Sequence, residues 1–373
     1  MRCIFPLIFL SLSSGICFAQ ADRAPQRKVS ITTELPSYKE HKANLMADGK
    51  KDTFFWIPRG VKKGETITLS TNLPLPTGKT LIVRDGKPDG KDRFSGAVLE
   101  GSLDGRNWKI LGEHRGGLLT AKLPRPLKHL RLRASRDVPH WIAIREIEMT
   151  DKASPVRVVR SKVSHKGKTY PLSIASNLEG FADLTPRFEE MAKLYFVIWP
   201  KLVDMLGSPP AETHLDVDIQ YRKDMDHPAH ASGKTITISA AHLRRDPEDT
   251  RGVFVHELTH VIQRYPSYQP SWFIEGSADY TRFKLSTTDR WAQRCRRHVN
   301  HQKPFGHYWS SAAFLLYLEE TYKKPVTRVV SQSIRAKTYN EAIWKQLTGK
   351  NLQQLAEDYK VSKWKPAQPT AEK

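Results

Sequence analysis

Hydrophobic periodicity changes partway along this 373-residue chain, and that change constrains the fold more than any other feature. From residue 31 to 149, apolar and polar residues alternate in short runs. Examples are Glu65-Thr-Ile-Thr-Leu, Thr80-Leu-Ile-Val-Arg, Gly96-Ala-Val-Leu-Glu, Asn107-Trp-Lys-Ile-Leu and His129-Leu-Arg-Leu-Arg. Alternation sends successive side chains to opposite faces of a strand, and Gly, Pro and Asp turns recur about every ten residues. This half therefore predicts an all-β sandwich. Over residues 184–206 the period becomes helical, with Phe188, Met191, Ala192, Leu194, Tyr195 and Ile198 forming an apolar stripe, and a kink or break is expected at Pro200. Strands over 214–221 and 234–240 precede helices over 251–264, 271–285 and 308–322, so the second half is α+β. The length suits about two domains. The expected division is a leader over 1–21, the sandwich over 22–150, a polar and basic linker over 151–168, the α+β domain over 169–345, and a C-terminal helix with a basic tail over 346–373.

The leader is read from Arg2, the apolar run Cys3-Ile-Phe-Pro-Leu-Ile-Phe-Leu-Ser-Leu and the small residues after it, with signal-peptide cleavage near Ala19 or Ala21. The run is short of the ~20 apolar residues that span a bilayer, which disfavours a retained anchor and leaves no transmembrane segment in the mature chain. Ile16 before Cys17 disfavours a lipoprotein signal. A secreted or periplasmic protein is expected. Cys295 is then the single cysteine of the mature chain, so no intramolecular disulfide is available. The formal net charge of +21 is spread over both halves. That favours attraction to acidic cell-surface polymers or glycans over a specific nucleic-acid module. The densest basic cluster, Arg294, Arg296 and Arg297, reads as a solvated helix face.

Val255-His256-Glu257-Leu258-Thr259-His260 contains H-E-x-x-H. On a helix, positions i and i+4 lie one turn apart on one face, so both imidazoles can address one ion. Catalytic zinc takes three protein ligands and keeps one position for water. Glu257 is placed to take a proton from that water. Among 14 His such a motif arises by chance at the few-per-cent level, and the segment downstream raises its weight. In Trp272-Phe-Ile-Glu275-Gly276-Ser-Ala-Asp279-Tyr280, Glu275 falls fifteen residues beyond His260, far enough for a returning helix to supply a third, oxygen ligand. Gly276 is expected where that helix approaches the first closely. Asp279, one turn beyond Glu275, is expected to accept the other N–H of His256. The competing view of Glu275 and Asp279 is an ordinary exposed helix pair.

These motifs resemble the basic secretory protein family of plants and bacteria, a zinc peptidase group with a gluzincin-like site. The resemblance also takes in Val217-Asp-Ile, Ala231-Ser-Gly, Thr237-Ile-Ser-Ala-Ala and His307-Tyr308-Trp-Ser-Ser-Ala-Ala-Phe-Leu-Leu-Tyr317, and spans residues 168–345. It implies a zincin-like metallopeptidase fold with one catalytic Zn²⁺ and a peptide or protein substrate. It further implies an edge strand that pairs with extended substrate, assigned to 234–240. Tyr308 is the implied oxyanion donor, with a structural helix-start tyrosine as the alternative and His307 as a weaker substitute. His227, His230, His298 and His301 are taken as surface or loop histidines.

The first half resembles discoidin, or coagulation factor 5/8 type C, domains through Asn44-Leu-Met-Ala-Asp48-Gly49-Lys-Lys-Asp-Thr53-Phe-Phe-Trp56, Leu99-Glu-Gly-Ser-Leu-Asp-Gly-Arg-Asn-Trp108 and Trp141-Ile-Ala-Ile-Arg-Glu146-Ile-Glu-Met. That implies a jelly-roll sandwich whose end loops bind glycan or a surface, with structural Ca²⁺ near Asp48, Thr53 and Glu146. Trp56 and Trp108 are expected in the core. The combined expectation is a secreted zinc metallopeptidase targeted by a glycan- or surface-binding domain. Its alternatives are a non-catalytic glycan- or cell-surface-binding protein that retains a zincin scaffold, and zinc hydrolysis of a non-peptide bond.

Overall fold

The computed structural model describes residues 3–6 and 27–366, apart from 89, 208–214, 287–289, 298 and 307. Ala19, Ala21, His298 and His307 therefore lie outside the described residues. The chain divides into two compact units, residues 1–157 and 158–373. No described helix is long and apolar enough to cross a membrane.

The first unit is all β: β1 (Cys3–Pro6), β2 (Lys28–Thr33), β3 (Phe55–Ile57), β4 (Thr66–Leu75), β5 (Thr80–Asp85), β6 (Ala97–Ser102), β7 (Lys109–Arg115), β8 (Leu118–Lys122), β9 (Leu127–Ala134) and β10 (Ile142–Thr150). Hydrogen bonding runs in the order β1-β2-β4-β9-β6-β7-β8-β5-β10-β3. β7 pairs with β6 through Val98↔Glu113 and with β8 through His114↔Leu119, so it links the two layers of a sandwich. Ile67, Leu69, Leu99 and Leu132 of one layer bury against Leu81, Val83, Leu119, Ile142 and Ile144 of the other. The expected sandwich is therefore the observed one. Trp56 and Trp108 differ from expectation, since both are half-buried. Their indoles carry an N–H that needs an acceptor: Trp56 donates to Asp92 (2.9 Å) and Trp108 to the Gly105 carbonyl (3.2 Å), which holds each at the margin of the core.

The second unit opens with β11 (Val156–His165) and β12 (Lys168–Asn177), followed by α1 (Thr185–Leu206), β13 (Asp216–Arg222), β14 (Ala229–Ser232) and β15 (Thr235–Ser239). The expected linker is thus largely a strand. Val159, Ser161, Val163 and His165 turn inward while Arg160, Lys162 and Ser164 face solvent, a period of two that the basic residues obscured. The sheet order is β11-β12-β13-β15-β14, with β12, β13 and β15 parallel and β14 antiparallel to β15. The edge strand beside α3 is therefore β14, with β11 at the opposite edge, and the segment expected at an edge, β15, is flanked on both sides. Five-residue β15 is mostly buried on both faces, Ile236 and Ile238 on one and Thr237 and Ser239 on the other, as an interior strand must be.

Helices α2 (Ala240–Arg245), α3 (Thr250–Gln263), α4 (Ser271–Leu285), α5 (Arg290–Arg297), α6 (Tyr308–Tyr322), α7 (Val326–Arg335), α8 (Ala342–Thr348) and α9 (Leu352–Val361) complete the unit. α1 and α3 lie on the sheet, burying Phe188, Tyr195, Leu202, Phe254, Leu258 and Val261 against Ile174, Val217, Ile219 and Ile236. Of the expected kink or break at Pro200, a break does not occur: α1 runs through it as one helix. A mid-helix proline costs about 3 kcal/mol, but the turns on either side of it bury Trp199, Leu202, Val203 and Leu206, each worth about 1.5–3 kcal/mol of transfer. α9 does not follow the unit as a tail. Leu355 and Tyr359 are fully buried with Phe314 and Tyr317 of α6. In the basic cluster on α5, Arg296 turns inward and stacks over Phe283 at 4.1 Å instead of facing solvent.

Candidate active site

α3 is packed so that one face must look onto α4 and the cleft beside it. Val255, Leu258 and Ile262 are buried under the helix, and Thr259 hydrogen bonds to Thr281 of α4 at 2.5 Å. The C-terminal end of α3 is held by Arg335, whose guanidinium donates to the Gln263 carbonyl (3.0 Å) and also reaches carbonyls at the end of α1. These are carbonyls that no helical N–H can satisfy.

His256 Nε2 and His260 Nε2 stand 3.2 Å apart, and Glu275 Oε2 lies 3.4 and 3.7 Å from them. The three donor atoms fall within 4.8 Å of one another. Nitrogens sharing a tetrahedral zinc at about 2.0–2.1 Å stand about 3.3 Å apart, so the spacing fits. The outer nitrogens explain why the inner ones converge. His256 Nδ1–H donates to Asp279 Oδ1 (2.7 Å), and His260 Nδ1–H donates to Gln263 Oε1 (2.8 Å). Each ring therefore turns its other nitrogen inward, and two inward lone pairs at that spacing need a cation between them, whether a proton or a metal. The donor set, two imidazoles and a carboxylate, suits zinc.

Electrostatics agree with this picture. Burial opposes a charged His256, but the Asp279 carboxylate, with Glu275 and Glu257, pushes the imidazole up to about 10. Burial would raise Glu275, yet hydrogen bonds from His256, His260 and Tyr268 hold its carboxyl well below the usual range. Glu257 is 6% exposed, one of its oxygens has no partner among the described residues, and burial pushes its carboxyl up. A carboxylate raised towards neutrality is suited to take and return a proton.

The site opens into a cleft of about 1200 Å³ bounded by β14, α3, α4 and the loop between those helices. Tyr308 starts α6 at a positive φ of 44°, is exposed, and lays its ring near His256 with centroids 6.1 Å apart. Two contributors escaped the sequence. Gln263 is buried, and its amide donates to the Ile274 carbonyl (3.0 Å) and Ser277 (2.8 Å), which fixes its oxygen toward His260. Its spacing of three from His260 was the available signal. Tyr268, in the loop, donates its hydroxyl to Glu275, and nothing in the local pattern marks it. Gly276 faces α6, contrary to expectation. A Cβ there would stand 2.5 Å from Ser311 Cβ, because α4 packs most closely on α6.

In the first unit, Asp48 accepts from Thr53 Oγ1 and the Lys50 N–H, each at 2.9 Å, and Glu146 accepts from the adjacent Gly49 N–H at 2.8 Å. Burial, with some repulsion from Asp48 and Glu148, pushes the Glu146 carboxyl up to about 7. Two carboxylates around one turn form a hard-oxygen set that suits Ca²⁺. Elsewhere on the unit, Trp141 is exposed and packs against Trp56 (4.9 Å) and Tyr38 (5.3 Å).

Residues 201–359 match the BSP family, described as a peptidase of plants and bacteria, as the motifs of α3 and α4 led one to expect. No curated protein matches the chain. Similar solved structures include CBM32-1 from a family 31 glycoside hydrolase of Clostridium perfringens, 12% identical over 33% of this chain and 93% of that one, with a TM-score of 0.29. A CBM32 module of another C. perfringens protein, in complex with GalNAc-β-1,3-galactose, is 21% identical over 33% and 94%, with a TM-score of 0.26. The F5/8 type C domain of a Bacteroides fragilis protein is 16% identical over 33% and 91%, with a TM-score of 0.25.

Proposed function

With the peptidase-family match as premise, we propose that this chain is an exported zinc-dependent peptidase carrying a glycan- or surface-binding sandwich. The observation that supports it most is the convergence of His256 Nε2, His260 Nε2 and Glu275 Oε2 beside a buried Glu257, one oxygen of which has no partner among the described residues. His256, His260 and Glu275 would hold the ion. Bound zinc supplies Lewis acidity and lowers the pKa of water to about 7. Glu257 takes the proton of the attacking water and delivers it to the leaving amine. Asp279 and Gln263 keep the two imidazoles in the tautomer that faces the ion. Tyr308, its phenol raised by burial and by the surrounding carboxylates, keeps its proton at neutral pH and donates it as a hydrogen bond to the oxyanion of the attacked carbonyl. Extended substrate adds to β14 at the sheet edge.

In the sandwich, Tyr38, Trp56 and Trp141 offer aromatic faces suited to a sugar ring, and Asp48 with Glu146 would hold Ca²⁺. Export through the leader completes the proposal.

Glu257→Gln tests it. Against a mixed peptide library with metal analysis, the variant is expected to keep its tight zinc equivalent and lose turnover by about 10²–10⁴-fold. Wild-type protein that binds zinc and cuts no peptide, while a glycan array responds, would instead make this a binding protein on a zincin scaffold.

A further inference from the structure

A second pair of imidazoles lies on the wall of the same cleft, where β14 begins. His227 Nδ1–H donates to Asp226 Oδ1 at 2.6 Å, and His227 Nε2 stands 2.9 Å from His230 Nδ1. This repeats the pattern of the first site, in which an outer carboxylate holds one nitrogen of a histidine and the other nitrogen meets a second imidazole at ligand-sharing distance. The first pair comes from one helical turn. The second comes from a bend and the start of an edge strand, so no shared helix geometry imposes the likeness.

Two imidazole nitrogens sharing a divalent ion at about 2.0–2.1 Å stand about 2.9–3.3 Å apart for bond angles from square to tetrahedral. The same cleft is lined by Glu257, which is nine-tenths buried and has one carboxyl oxygen without a partner among the described residues. Both histidines are exposed, so an ion reaches them from solvent and keeps water in its remaining positions.

We propose that His227 and His230, with Asp226 behind them, bind a second divalent transition-metal ion on the edge-strand wall of the cleft. Imidazole donors select zinc, copper or nickel over magnesium or calcium. With two firm protein ligands against three, the second ion binds more weakly than the first. If the peptidase proposal holds, an ion here obstructs β14, so excess metal inhibits the enzyme; the binding itself does not depend on that proposal.

Calorimetric titration of the metal-stripped full chain with Zn²⁺ tests it. Wild-type protein is expected to take up a tight and a weaker equivalent. His227→Ala and His230→Ala should each lose the weaker equivalent and keep the tight one, which also reports that they fold. Asp226→Asn should weaken it by about tenfold, as outer-partner substitutions do. Conversely, His256→Ala should lose the tight equivalent and retain the weaker, so a failure of the catalytic-site proposal leaves this result readable. A single equivalent in wild-type protein, or a weaker equivalent unchanged in His227→Ala, overturns the proposal and leaves a hydrogen-bonded histidine pair only.

Discussion

The two units each gather carboxylates around a candidate cation, but they hold them in different ways. In the second unit the ligands stand on α3 and α4, whose relative position is fixed by buried side chains and by the Thr259–Thr281 contact. In the first, Asp48 and Glu146 come together through a turn at Gly49, whose φ of +81° lets its N–H point at Glu146. The helical site is organised before any ion arrives, because each histidine is locked by an outer partner. The loop site carries a buried carboxyl pushed up to about 7, which an ion would relieve. One site would lose function without its ion, and the other would lose stability.

The largest expected effect breaks that comparison at its strong end. Glu275→Ala removes the carboxylate of the proposed ligand set, and both zinc uptake and peptide turnover are expected to vanish while the far-ultraviolet circular dichroism stays unchanged. Zinc bound as tightly as in wild type would remove Glu275 from the site. Next come the outer partners. Asp279→Asn is expected to weaken zinc by about 10–100-fold, and Gln263→Leu by less, because a charged acceptor is replaced in the first case and a neutral one in the second. Equal losses would mean that the two partners only fill space. Zinc uptake should also release a proton, since His256 is held at about 10 and must be neutral to ligate. Titrations in buffers of different ionisation enthalpy would read that proton directly.

The contrast between the sites explains what could be read in advance. The helix spacings of His256, His260, Glu275 and Asp279 are fixed by 3.6 residues per turn, so a string of letters already carries their geometry. α4 and α6 were legible because each carries a long run of buried residues, 273–283 in α4 and 311–318 in α6. Tyr268 was not legible, since its position depends on how a loop folds back over Glu275. Neither was β14, whose alternation runs over only four residues, although it forms a wall of the cleft. β11 hid behind its arginines and lysines, which snorkel on the solvent face while the valines do the packing. Gly276 was read as a close-approach residue and is one, but for α6, because which helix lies nearest is a tertiary fact.

At the weak end of the comparison the effect is thermodynamic and depends on pH. An ordinary glutamate titrates near 4.5 and folded Glu146 at about 7, so the folded first unit binds its proton more tightly than the unfolded chain. That contribution is complete below pH 4.5 and is lost as pH rises through 7, on the order of 3 kcal/mol in all. In calcium-free buffer the Tm of the first unit is therefore expected to fall across that window. Millimolar Ca²⁺ should cancel the fall by neutralising the carboxylates, and saturating ligand adds stability as the logarithm of its concentration over Kd. Glu146→Gln should abolish both the pH slope and the calcium response and leave the zinc site untouched. A calcium response that survives in Glu146→Gln would place the ion elsewhere.

The smallest expected effect separates binding from folding within the first unit. Trp141 is exposed and touches only the margin of the aromatic group formed with Trp56 and Tyr38, so Trp141→Ala should change stability little. If that group stacks against sugar rings, the same change should cost glycan affinity by about tenfold or more, because one aromatic platform contributes on the order of 1–2 kcal/mol of contact. Glycan-array signal and thermal melting, measured on the same preparation, decide between the two roles. Loss of signal at constant Tm assigns Trp141 to recognition. Parallel losses make it a packing residue and move the search for the sugar site to other loops of the sandwich.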